Sequence, residues 1–172
     1  NVFAHIENLD HLLKSLKVLI KDDTFIVIEN HYLLSVLKKM QFDTFYHEHL
    51  RTYSLKSLIE LLKYYDFQIV DAYRSERYGG NIQAHFSLKK YKPSKNVISI
   101  LEIEKKYKLD KFITYKNFKN KIEKSRKDLS NFLLKHKNYK IVGKAFPARA
   151  SILIHRFSGI KNHIAFVAEQ PT

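Results

Sequence analysis

Four consecutive residues, Tyr46-His47-Glu48-His49, place a phenol, a carboxylate and two imidazoles at the end of the run Phe42-Asp-Thr-Phe-Tyr-His-Glu-His49. Imidazole has an ordinary pKa of roughly 6.5, near working pH, so a histidine oriented by a neighbouring group is suited to take a proton from carbon or oxygen. Two other readings compete. A Tyr or His can be half-buried and hydrogen-bonded with no chemistry to perform. On an extended segment His47 and His49 would also point the same way, as a pair of zinc ligands does. The chain has no Cys and no HExxH spacing, so no metal ligand set is expected.

The elements around this run must position it. Leu9, Leu12, Leu13, Leu16, Leu19 and Ile20 recur at helical spacing, with Asn8 or Asp10 available to start the helix. After a turn at Asp22-Asp23, the run from Thr24 to Glu29 is almost continuously apolar and β-branched, as in strands buried on both faces of a parallel sheet. Open parallel sheets bind ligands beyond the carboxyl ends of their strands, which is where Glu29, Asn30, His31 and Tyr32 fall. A short helix over Leu33 to Met40 then leads into the Tyr-His-Glu-His run. Ser54 can cap a helix whose buried face is Leu55, Leu58, Ile59, Leu61, Leu62 and Tyr65. Two strands follow, Phe67 to Arg74 and Asn81 to Leu88, separated by a loop with Gly79-Gly80. The second alternates Ile82, Ala84 and Phe86 against Gln83, His85 and Ser87, which suits an antiparallel strand with unlike faces.

Beyond Pro93, Tyr115, Phe118, Ile122, Ser125, Leu129, Phe132 and His136 define one seam of a long helix that should pack on a neighbour. Lys140 to Ala145 reads as a strand, Pro147-Ala-Arg-Ala-Ser151 as a turn into a helix through His155, and His163 to Glu169 as a further strand. Together they form a βαβ unit, the seed of a second nucleotide-fold domain.

At 172 residues and 45% hydrophobic composition the chain can bury one substantial core. It has no apolar stretch of roughly 20 residues and no signal-like N-terminus, so a soluble, cytoplasmic protein with no membrane partner is expected. It begins at Asn1 rather than Met and reads as a piece of something longer. The formal charge is +14, and its distribution is uneven. Lys89 to Lys140 carries 17 basic against 5 acidic residues, whereas the rest carries 14 against 12. This excess lies on lysine-rich helical sequence without the arginine and aromatic interleaving of a base-reading module, which argues for a solvated face and against nucleic acid.

The order of these motifs resembles the sugar C-methyltransferases, a group of class I S-adenosylmethionine-dependent enzymes. Their N-V-x-A-H-I, F-D-x-x-Y-H-E-H, G-G and P-A-[KR]-x-[SN]-x-L-L signatures correspond to Asn1 to Ile6, Phe42 to His49, Gly79-Gly80 and Pro147 to Leu153. The resemblance implies an α/β fold: the second half of a Rossmann-like methyltransferase sheet with an antiparallel strand pair over 1–90, a basic helical linker over 91–138, and an incomplete second Rossmann-like βαβ domain over 139–172. It implies methylation of the carbon beside the ketone of a nucleotide-linked deoxyketosugar. His49 would be the general base. Glu48 would orient an imidazole or contact the sugar, Tyr46 would hydrogen-bond near the carbonyl oxygen, and His5 would add a polar contact. Tyr32, Gly80 and Arg149 are the implied substrate-binding residues, and Asn1 and Val2 the implied cofactor contacts.

The glycine-rich loop that would hold most of S-adenosylmethionine is expected upstream of Asn1. Val142-Gly-Lys-Ala-Phe-Pro147 departs from the family loop in being less glycine-rich. The alternative from a different class is a non-catalytic basic module that docks on an acidic partner or nucleic acid.

Overall fold

The computed structural model describes residues 2–147, 149–157 and 159–169. A three-stranded sheet forms its centre, in the order β1 (Ile26–His31), β3 (Asn81–Ser87), β2 (Gln68–Ser75), with both pairings antiparallel. The expected antiparallel strand pair is therefore present, and β3 lies in the middle because it hydrogen-bonds on both edges. Register sets Glu29 opposite Gln83 and His31 opposite Asn81. Since side chains alternate along a strand, Ile28, Asn30, Ile82, Ala84, Phe86 and Ala72 enter the core, while Glu29, His31, Gln83 and His85 share the other face.

β1 differs from its expected form. It runs from Ile26 to His31, pairs with an antiparallel neighbour, and exposes half of Val27. Apolar composition reports burial but carries no information about the direction of the partner strand. Here β3 arrives from the connection that follows β2 and so runs against β1.

Helix α1 (Leu9–Leu19) starts at Asn8, whose side chain accepts from the His11 amide at 2.9 Å. Leu9 and Leu13 are buried, but Leu19, expected on the same stripe, is exposed. It lies six residues beyond Leu13, roughly 120° away around the helix. Helix α2 (Leu33–Lys38) follows β1 directly. Helix α3 (Leu55–Lys63) is capped reciprocally: Ser54 Oγ accepts from Ser57 N at 3.0 Å and Ser57 Oγ accepts from Ser54 N at 2.9 Å. Its Leu55, Leu58 and Leu62 are fully enclosed.

Helix α4 (Lys95–Lys106) packs on β2 and α3 through Val97 and Ile100. It contributes Glu104, a buried carboxylate that accepts from the Leu55 amide at 2.6 Å and the Lys56 amide at 3.1 Å. Two amide donors that the first turn of α3 cannot satisfy internally are thereby paired with a negative charge at the positive end of the helix.

The long helix α5 (Phe112–Lys135) packs the predicted seam only in part, with Phe118 against the main core and Leu129 against a second, smaller one. Leu133 is its buried residue, packed with Phe157 and Ile160, while Tyr115 and Phe132 stay exposed. The second core is small and admits one turn of the helix, so the seam is covered at Phe118 and at Leu129 to Leu133 and open at Tyr115 and Phe132. Strand β4 (Ile141–Lys144), helix α6 (Ala150–Arg156) and parallel strand β5 (Ile164–Ala168) form the expected βαβ unit. Within its predicted Pro147 to Ser151 turn, Ala148 lies outside the described residues. Among the described residues, no helix is long and apolar enough to cross a membrane.

Candidate active site

Three separate segments bring histidines to one place at the end of β1. His5 ends a one-turn 3-10 helix, Phe3–His5, anchored by buried Phe3 and Ala4. His31 is the last residue of β1. His49 follows a second one-turn 3-10 helix, Phe42–Thr44, in which Thr44 is buried. The ring centroid of His49 lies 4.8 Å from that of His5, 5.0 Å from that of His31 and 4.6 Å from that of Tyr46. Arg51 ties two of these segments together, donating to the Ile6 carbonyl at 2.6 Å and the Glu7 carbonyl at 3.2 Å.

His49 Nδ1 is 3.0 Å from the Thr44 carbonyl oxygen. A carbonyl can only accept, so this bond requires the proton on Nδ1 and leaves the lone pair on Nε2. Burial holds the His49 imidazole below its ordinary pKa; the Thr44 carbonyl opposes that, while the positive charges of His5 and Arg149 add to it. His31 is likewise held low, first by burial and then by the charges of His49, Arg149 and His5. Crowded, half-buried imidazoles thus favour the neutral form, the one that can accept a proton. Tyr46 is pushed up by burial and by the Glu48 carboxylate beside it. On the same sheet face, Asn81 donates to Glu29 at 2.7 Å and Gln83 at 3.4 Å, and these bonds, led by that from Asn81, hold Glu29 below the usual carboxylate range.

The residues singled out from sequence fall into distinct places. His5, Tyr46 and His49 meet. Glu48 is exposed and acts on Tyr46, so the group that orients the imidazole is the Thr44 carbonyl rather than a carboxylate. His47 is exposed and its ring contacts Tyr46 at 5.7 Å; among the described residues no group of three or more His, Asp or Glu converges to hold a metal.

Tyr32 is corrected. It is fully buried, its hydroxyl is enclosed, and its phenol is pushed far up by burial and by Glu104, so it belongs to the core. Gly80 is buried with φ +120°, and an added Cβ would lie 2.6 Å from Ser35 Cβ, which assigns it a backbone role. Its carbonyl accepts from the Tyr32 amide at 3.1 Å. Arg149 is engaged with protein: its Nη2 donates to Asp43 Oδ1 at 2.8 Å and Thr44 Oγ1 at 2.9 Å. Val2 is exposed, and Asn1 lies outside the described residues.

Sequence reasoning passed over Thr44, Arg51 and the pairing of His31 with His49. His31 carried a signal, since it sits at the carboxyl end of β1. Thr44 carried none, because it acts through its backbone. An open groove of about 820 Å³ lies elsewhere, lined by residues including Ser54, Glu60, Glu104 and Tyr115, and none of His5, His31, Tyr46 or His49 borders it.

Residues 1–72 match the family described as a methyltransferase domain, and residues 76–172 match the C-methyltransferase C-terminal domain. The two matches meet at the β2–β3 connection, and the sheet is continuous across it. The C-methyltransferase NovU of Streptomyces niveus is 36% identical over 80 residues, which is 46% of this chain and 19% of the relative's length. The chain therefore spans about a fifth of that relative.

Methyltransferase families use S-adenosylmethionine, and among the described residues no site for it is formed. The four glycines are Gly79 and Gly80 between β2 and β3, Gly143 in β4 and Gly159 after α6. None forms a glycine-rich turn from a strand into a helix start, where a backbone could approach an adenosine. With more than half of its length matched to a domain specific to these proteins, the chain belongs to the C-methyltransferase family.

Proposed function

We propose that this chain supplies the proton-abstracting half of a C-methyltransferase acting on a nucleotide-linked deoxyketosugar, with His49 as general base. The observation that carries this reading is the 3.0 Å bond from His49 Nδ1 to the Thr44 carbonyl, which leaves Nε2 free to accept a proton within a half-buried ring cluster. A hydrogen on the carbon beside a ketone is acidic enough for imidazole once the developing enolate is stabilised. In this reading Nε2 takes that hydrogen and the electron pair moves onto the ketone oxygen. Tyr46, whose phenol stays protonated, donates a hydrogen bond to that oxygen, and His5 provides a further polar contact. S-adenosylmethionine supplies the methyl group when bound. The family matches do not favour the alternative in which the lysine-rich helices α4 and α5 form a docking module.

The test uses the polypeptide together with its upstream methyltransferase residues. Exchange of the sugar's α-hydrogen with deuterated water reports the first step without methyl transfer. His49→Gln is expected to abolish exchange; exchange at the wild-type rate in that variant removes His49 as the base.

A further inference from the structure

Arg149 reaches from the start of α6 to the loop that carries His49. Its Nη2 donates both to Asp43 Oδ1 at 2.8 Å and to Thr44 Oγ1 at 2.9 Å, and its enclosed Nε has no hydrogen-bond partner among the described residues. Thr44 is 1% exposed, and its carbonyl takes the bond from His49 Nδ1. Next to this polar grip, Phe42 meets Phe157 edge-to-face at 5.7 Å between centroids. The βαβ unit therefore holds the one-turn helix before His49 at two points, one charged and one aromatic.

We infer that Arg149 is a positioning residue, through which the βαβ unit fixes the Thr44 peptide and so the orientation and tautomer of the His49 imidazole. This rests on the reading of His49 as the base. The physical link is short. Thr44 has one side chain and one carbonyl on a rigid single turn, so clamping the hydroxyl restricts the rotation of the adjoining peptide. Only one direction of the carbonyl lets it accept from Nδ1. The Tyr46 amide also donates to this carbonyl, at 3.2 Å, so the clamp adds to a local turn; without it the carbonyl is held less firmly and the imidazole loses part of its reason to keep the proton on Nδ1. A guanidinium already committed to Asp43 and Thr44 is poorly placed to be a primary substrate contact.

The readout is the tautomer of His49, followed by long-range proton–nitrogen NMR on protein labelled with nitrogen-15 histidine. In the wild type one signal set with Nδ1 protonated is expected. Arg149→Ala is expected to give averaged Nδ1 and Nε2 shifts, and Arg149→Lys to restore the wild-type pattern in part. Asp43→Ala, which frees the guanidinium without altering α6, should act in the same direction and keeps the test open if Arg149→Ala fails to fold. In the enzyme completed by its upstream residues, Arg149→Ala should lower kcat roughly tenfold or more with KM little changed, the pattern of a misplaced catalytic group.

A retained Nδ1 tautomer in both alanine variants overturns the inference, and a raised KM at unchanged kcat overturns it and makes Arg149 a substrate contact. If the tautomer responds as expected while His49→Gln still exchanges the sugar hydrogen, the positioning link stands and the assignment of the base falls.

Discussion

Thr44 holds His49 through its peptide carbonyl, at 3.0 Å from Nδ1, and a backbone group thus does what a carboxylate does in many histidine bases. A carbonyl acceptor fixes the tautomer and stabilises the protonated ring less than a full carboxylate charge would. The neutral imidazole is favoured by burial, which outweighs the opposing pull of the Thr44 carbonyl on the protonated ring.

The ring cluster predicts a hierarchy of losses. His49→Gln should lower turnover of the completed enzyme by on the order of a hundred- to ten-thousandfold, the usual contribution of a positioned base. Tyr46→Phe removes one donor to the developing enolate oxygen and should cost on the order of a hundred- to a thousandfold. Glu48→Gln should cost less than either, because Glu48 is exposed and reaches the ring through Tyr46. Steady-state rates of the three variants check the order, and a Glu48→Gln loss equal to that of His49→Gln would place the carboxylate at the reacting atoms.

Acid should destabilise this chain through the same imidazoles. His31 and His49 have folded pKa values below the unfolded value, chiefly because of burial, with His5, Arg149 and, at His49, Glu48 as the charged groups facing them. The unfolded chain therefore binds more protons over the interval between the two values, and stability rises with pH there. Their contribution is intact above the unfolded value of roughly 6.5 and is lost as pH falls through it toward the folded values. Urea midpoints measured between about pH 5 and 8 should show this slope. His31→Asn with His49→Gln should flatten it.

Glu104 is expected to matter for folding rather than catalysis. Its carboxylate takes the Leu55 and Lys56 amides in a buried setting. Glu104→Ala leaves both donors unpaired, a loss of about 2 kcal/mol or more. Glu104→Gln, which retains one acceptor, should lose about half of that. Denaturant unfolding measures both.

Gly80→Ala should destabilise by about 1–3 kcal/mol, since its φ of +120° suits glycine and the new methyl would enter Ser35. Adding Ser35→Gly should restore part of the loss by opening space and leave the backbone strain. Full restoration would show that crowding alone makes glycine necessary.

Several elements were legible in the sequence because each depends on local chemistry. The Ser54 cap, the alternation of Ile82, Ala84 and Phe86, and the strand, helix and strand after Lys140 all appear where local pattern puts them. The residue types at Tyr46 and His49 marked them in the same way as candidates for acid–base chemistry. Periodicity overstated burial for part of α5 and for Leu19, because spacing says which side chains share a face and nothing about how far a neighbour covers that face.

The amino-acid sequence determined which groups are available for chemistry and which short segments become helix or strand, since both follow from side-chain types and nearest neighbours. Tertiary structure alone decided that His5, His31 and His49 share one site, that Tyr32 is withdrawn into the core, and that the Thr44 carbonyl orients the candidate base. Those relations join residues far apart in the chain, or act through backbone atoms that are the same in every residue. Neither kind leaves a mark in the order of the side chains.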